Sequence, residues 1–158
     1  MLTTTISNKV LNIITAKAKE QTLTGSGLCY LALSTTTPNA DGSNFTEPTA
    51  SSYERIRLND YEGMEYVDMW GSVSNGTVTN KLEITSRECT DEEGWGEATH
   101  FGIFNAKAPG SGTLLAFDLL TDPDGEPDEN GIYPAKSLTV GYKHVAVFRV
   151  GTLQLQIK

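Results

Sequence analysis

Five carboxylates fall within one short stretch, Asp122, Asp124, Glu126, Asp128 and Glu129, separated by Pro123, Gly125 and Pro127. Closely spaced hard oxygens are what Ca²⁺ takes as ligands. A calcium loop of the EF-hand kind needs oxygen ligands at its first, third and fifth positions, glycine at the sixth and glutamate at the twelfth. Counted from Asp122, the sixth position is Pro127 and the twelfth is Tyr133, while the glycine comes early, at Gly125. The spacing therefore predicts a solvated inter-strand loop with no metal, leaving Asp122, Asp124 and Glu126 as candidates for surface recognition.

A second cluster, Asp91-Glu92-Glu93-Gly94-Trp95-Gly96-Glu97, sets an indole among acids. Trp95 could stack on a sugar ring while carboxylates accept its hydroxyls, which makes it a recognition candidate. In the plainer reading, which we favour, the two glycines turn the chain and Trp95 covers one end of the core. His100 and His144 each open an apolar run and read as strand-edge residues, not catalytic bases. Gly25-Ser26-Gly27 and Gly110-Ser111-Gly112 miss the Gly-x-Ser-x-Gly nucleophile turn, and neither precedes a helix with Lys-Ser or Lys-Thr. Cys29 and Cys89 have no Cys-x-x-Cys or His-x-x-x-His companions. They read as buried thiols of a cytoplasmic chain, and a bridge between them would need Cα atoms within about 7 Å. No nucleophile, base or metal set is assembled, so the expectation is a protein that is not an enzyme and takes no cofactor.

Bulk properties narrow the partners. With 158 residues, 12 Lys+Arg against 20 Asp+Glu and a net charge of −8, the chain is long enough to bury roughly 70% of its unfolded surface as one domain. Its acidity and the absence of any Lys/Arg run exclude nucleic-acid and anionic-membrane binding, which need surplus cations. No apolar stretch reaches the roughly 18 residues of a membrane span. Met1-Leu2-Thr3-Thr4-Thr5 lacks the charged start and apolar stretch of a signal peptide, so synthesis in a cytoplasm is expected.

The elements that would position these residues fall into two grammars. Ile6, Val10, Ile13 and Ile14 share one face at helical spacing, which predicts an N-terminal helix over residues 1–20. A polar linker, 21–27, then leads into a β domain over 28–158. An isolated amphipathic stripe must dock somewhere. We expect those four residues to form an assembly interface with another subunit or a larger particle, most simply in a trimer. From residue 28 onward come short apolar or alternating runs: Leu28–Ser34, Tyr53–Leu58, Thr77–Thr79, Leu82–Ile84, His100–Phe104, Thr113–Phe117, Ser137–Val140, His144–Val150 and Leu153–Ile157. Such runs, punctuated by Gly, Asn and Pro, predict an antiparallel β-sandwich, jelly-roll-like, with one N-terminal α-helix. Residues 35–52 read as a long polar surface loop, and Gly151-Thr152 as the turn of a closing hairpin.

Several stretches carry a likeness in the same order along the chain: Tyr30–Pro38, Asp41-Gly42, Glu47-Pro48, Ser52–Ile56, Asn80 with Ile84, Trp95–Phe104, Gly112–Leu115 and Gly151–Leu153. In these the chain resembles small virion structural proteins of tailed bacteriophages, of the tail fibre and capsid decoration kinds. The resemblance implies a multimeric β-sandwich module on the phage particle, made in the host cytoplasm, with capsid or tail proteins as partners. It carries over no catalytic residue. Because a chain at −8 would be repelled by packaged DNA, we expect the particle exterior. Capsid decoration is the first reading, since no repetitive shaft is present. A tail or tail-fibre module that binds a host receptor is the alternative, and a carbohydrate-binding domain is a third.

Overall fold

Leu31, Ala32 and Leu33 follow one another without a polar interruption, the pattern of a strand covered on both faces. The structure, a computed structural model, describes residues 10–11, 29–62, 65–129 and 133–156, with the backbone alone for 59–62 and 65–68. The chain is mainly β and every named ladder is antiparallel. The strands are β1 (Tyr30–Ser34), β2 (Ile56–Arg57), β3 (Asn59–Glu62), β4 (Glu65–Asp68), β5 (Thr77–Thr79), β6 (Ile84–Thr85), β7 (Glu97–Ala98), β8 (His100–Phe104), β9 (Leu114–Leu119), β10 (Leu138–Thr139), β11 (Val147–Phe148) and β12 (Gln154–Gln156). One four-stranded sheet runs in the order β2-β1-β8-β9, and β10-β7, β11-β6, β12-β5 and β3-β4 form two-stranded ladders.

β1 and β8 are the axis of the molecule. Both are buried at all five positions, and they pair throughout, from Tyr30 opposite Phe104 to Ser34 opposite His100. One core gathers side chains from nearly every ladder, including Leu31, Trp70, Val78, Ile84, Phe101, Ile103, Phe148 and Leu155.

The other face of the sheet is covered by residues 35–52, the stretch that the sequence presents as a polar loop. Phe45 packs edge-on against Phe104, 5.4 Å between centroids. A Cβ on Gly102 would stand 2.7 Å from both the Phe45 ring and Leu114, so only glycine lets them approach. The loop also completes the edge of β1 beyond β2. The Leu33 N–H donates to the Tyr53 hydroxyl at 2.9 Å, and the Thr35 N–H donates to the Thr46 carbonyl at 2.9 Å. Strand-edge donors are thereby satisfied without a strand.

Gly151-Thr152 does not close a hairpin. A turn is present, with the Thr152 N–H on the Arg149 carbonyl at 3.0 Å. Yet β11 pairs with β6 and β12 with β5, so the flanking strands diverge. What holds them apart is Asn80, fully buried between the two ladders. Its Nδ2 donates to the Leu82 and Arg149 carbonyls at 2.9 and 2.8 Å, and its Oδ1 accepts from the Leu153 N–H at 3.0 Å. A local turn signal could not report that a residue some 70 positions earlier would take the bonds a hairpin partner normally takes.

Of the helix expected over residues 1–20, Val10 and Leu11 are described, and both are helical. Ile6, Ile13 and Ile14, like the linker 21–27, lie outside the described residues. Leu11, not part of the expected stripe, is 1% exposed and belongs to the β core, while Val10 is half-buried.

Candidate functional site

Three loops, 35–55, 89–96 and 105–112, are fastened to one another through polar side chains. Arg55 stands at the centre of the first junction, its side chain 0% exposed and that of Glu47 11%. Its Nε and Nη2 bind the Glu47 carboxylate at 2.9 and 2.6 Å in a two-point fork. Its Nη1 donates to the Ala106 and Ser111 carbonyls, each at 2.8 Å. The guanidinium carbon lies 3.6 Å from the centroid of the Phe104 ring, a cation–π contact. Glu47 also accepts from the Tyr53 hydroxyl at 3.2 Å and the Gly110 N–H at 3.2 Å. Burial drives the Tyr53 hydroxyl well above the ordinary phenol range, so it stays protonated and keeps donating.

The second junction is built on Asp91. Its Oδ1 accepts from the Ser51 N–H and hydroxyl at 3.0 and 2.7 Å, and its Oδ2 accepts from the Ser52 N–H at 2.8 Å and from the Ser52 hydroxyl. The Ser52 oxygen in turn accepts from the Trp95 indole N–H at 3.0 Å and the Thr90 N–H at 3.2 Å. A serine giving its proton to a carboxylate and filling both lone pairs is an anchor, not a nucleophile. These bonds, the Ser52 hydroxyl first and the Ser51 hydroxyl next, hold the Asp91 carboxyl down at about 2.

That depression carries a sign. A carboxylate whose folded pKa lies below its unfolded value near 3.9 contributes stability that is complete above about pH 4 and is lost as pH falls towards 2. Acid unfolding followed by Trp95 fluorescence is expected to steepen across that window, and Asp91→Asn to remove the component while lowering stability at neutral pH. An unchanged acid profile in the variant would contradict this origin.

The expected site residues take varied places. Trp95 is 4% exposed and edge-on to Tyr53, ring centroids 5.4 Å apart. It caps the core and offers no stacking face for a sugar. Gly94, with φ +74°, lets the chain turn there, and a Cβ on it would reach within 2.5 Å of the Val140 carbonyl. Trp70, the second tryptophan, is fully buried. Asp122 is bonded to Lys136 at 2.9 Å, which holds its carboxyl below the ordinary range, and Asp124 pairs with Arg149 at 2.9 Å. Glu126 is exposed. Asp122 and Asp124 border a groove of about 550 Å³ with Leu138 and Val147. Among the described residues no group of three His, Cys, Asp or Glu side chains is close enough to hold a metal ion.

His100 is buried, and its Nδ1 meets the Thr99 hydroxyl at 2.8 Å. Burial lowers its pKa, with Asp118 opposing. Cys29 and Cys89 are buried and not joined in a disulfide, and burial pushes the Cys29 thiol up to about 12. Pattern alone singles out neither Glu47 nor Arg55 as a site residue. The available signal is the broken alternation of Tyr53–Leu58, where a charged residue stands two positions from Tyr53 on its buried side and so demands a buried counter-charge.

A family profile described as Podophage GP4 fiber I protein gp80 matches residues 1–141. No curated protein matches the chain.

Proposed function

Since the chain belongs to the podophage GP4 fiber I protein gp80 family, within the structural proteins of tailed-phage virions, we propose that it serves as a non-enzymatic tail-fibre module whose braced loops meet a host receptor. The observation that carries this is the family match over residues 1–141. It fits the tail-fibre reading better than capsid decoration, the first reading of the sequence. The lack of a repetitive shaft is a weak basis for choosing the capsid, because one module of a fibre need not contain the shaft.

The geometry suits recognition. Loops 35–55, 89–96 and 105–112 are tied together by several hydrogen bonds each to the buried Arg55 and the half-buried Asp91, so little ordering entropy is lost when a partner binds them. The carbohydrate-binding reading loses its main support with both tryptophans buried. We read the ladders as layers of one β-sandwich, supported by their shared core. The chain is assigned phage particle proteins as partners and is taken to act in several copies, a trimer by preference, after synthesis in the host cytoplasm. Among the described residues no helix is long and apolar enough to cross a membrane.

Gold-labelled antibody against this chain, applied to purified particles in the electron microscope, is expected to decorate the tail fibres. Label spread over the capsid faces would restore the decoration reading, and particles without label would remove the virion role. Turnover of a glycan or ester that vanishes on replacing one carboxylate would overturn the non-enzymatic part.

A further inference from the structure

Asn75-Gly76 is the dipeptide best suited to a two-residue turn in which both residues take φ above zero. The structure uses it so. Asn75 has φ +51° and Gly76 +74°, and around them Ser74 and Thr77 exchange both main-chain bonds, at 3.0 and 2.9 Å. The arms continue antiparallel from this turn. The Gly71 N–H donates to the Thr79 carbonyl at 2.7 Å, Trp70 bridges to Asn80, and the Lys81 N–H donates to the Met69 carbonyl at 2.8 Å. The turn therefore sets the register in which Trp70, Val78 and Asn80 enter the core, and Asn80 is the residue that parts β11 from β12.

The same dipeptide holds a second chemistry. A glycine nitrogen, uncrowded by a neighbouring Cβ, can attack the side-chain amide of the asparagine before it. The Gly76 nitrogen would bond to the Asn75 side-chain carbonyl carbon, the bond from that carbon to the amide nitrogen would break, and ammonia would leave with the proton of the Gly76 N–H. Water then opens the five-membered ring at one carbonyl or the other, giving aspartate or isoaspartate. Ring closure needs rotation about the Asn75 Cα–C bond, which the Ser74–Thr77 bonds oppose while the turn is closed. Asn75 is exposed and Gly76 buried, so solvent meets the side chain while the nitrogen stays within the turn.

We propose that Asn75 is a self-modification site governed by its own turn. Closed, the hairpin holds the amide unreactive; opened, it lets the amide convert, and the isoaspartate product keeps the turn from closing again. Isoaspartate places an extra methylene in the main chain, so a two-residue loop no longer matches the spacing of Ser74 and Thr77. Aspartate before glycine supports a turn of the same kind and adds only charge. One product is thus tolerated, while the other loosens the arm that carries Asn80. The chemistry is independent of the role in the fibre.

Peptide mapping by mass spectrometry tests this on the full chain, held folded or in guanidinium chloride at the same pH. Mapping separates Asn75 from Asn130, which also precedes a glycine. In the folded chain Asn75 is expected to lose its amide at least about tenfold more slowly than in denaturant, the factor set by two main-chain bonds that must open. The isoaspartate form, made in denaturant, refolded and separated by ion exchange, should melt below both the wild type and Asn75→Asp. That variant supplies the charge without the longer main chain and should melt close to the wild type. Equal rates of conversion in the two states, or an isoaspartate form that melts like Asn75→Asp, would each overturn the proposal.

Discussion

Replacing Glu47 by alanine is expected to destabilise the protein by about 3–5 kcal/mol, the penalty for stranding one charge of a buried pair. Arg55 would remain fully buried with its Nε and Nη2 unanswered. A guanidinium cannot shed its proton to escape, so either water enters or the segment opens. For a chain of this length the loss corresponds to a fall in melting temperature of roughly 6–20 °C. Glu47→Gln keeps an acceptor and should lie well short of that. Combining Glu47→Leu with Arg55→Met removes the stranded charge but orphans the Ala106 and Ser111 carbonyls that Arg55 now satisfies. The double variant should therefore recover part of the stability while residues 105–112 become sensitive to protease. Urea unfolding of the three variants checks the order. If Glu47→Ala unfolds at the wild-type midpoint, the junction is not what braces the loops.

Asn80→Ala is the second large effect, expected at about 3 kcal/mol. It would leave the buried Leu153 N–H without its acceptor, take the Asn80 donor from the Leu82 carbonyl and leave the Arg149 carbonyl only the Thr152 N–H, at the point where β11 and β12 separate. An orphaned buried group such as the Leu153 N–H costs about 1–3 kcal/mol, the cavity left by the fully buried side chain adds to it, and because these losses belong to one side chain they do not simply add. Asn80→Asp separates the roles. It restores the acceptor for Leu153 but turns a carboxylate oxygen towards carbonyls, so its folded pKa should rise. A raised carboxylate pKa destabilises most at high pH, so this variant should gain stability relative to Asn80→Ala as pH falls through the usual carboxylate range. Thermal melts of both variants at neutral and mildly acidic pH decide the matter. Equal melting at every pH would mean that the Leu153 bond contributes nothing.

Local and distant causes divide these residues. Neighbouring residues alone make the chain mainly β and mark β1, β5, β8, β9 and β12, because period-two alternation and continuous apolar runs are properties of adjacent positions. They also show that the acidic stretch misses the EF-hand ligand positions, since ligand spacing is local. Short motifs in order, Glu47-Pro48, Ser52–Ile56 and Asn80 among them, carry the likeness to the tailed-phage virion family without revealing what those residues touch.

What those residues touch is set by contacts that only the folded chain makes. Glu47 meets Arg55, which reaches across to Ala106 and Ser111. Ser51 and Ser52 meet Asp91, and Asn80 meets Arg149 and Leu153. The first pair is close enough along the chain for broken alternation to hint at it. The others join positions about 40 to 70 residues apart, which no window of neighbouring residues contains. Residues 35–52 are the largely exposed polar loop that their composition suggests, and Trp95 caps the core in line with its plainer reading, but neighbouring residues do not show that Phe45 turns onto the sheet or that Ser52 takes the indole N–H. A polar side chain reads as exposed in sequence until a distant donor or acceptor supplies, inside the protein, the bond that water would otherwise make.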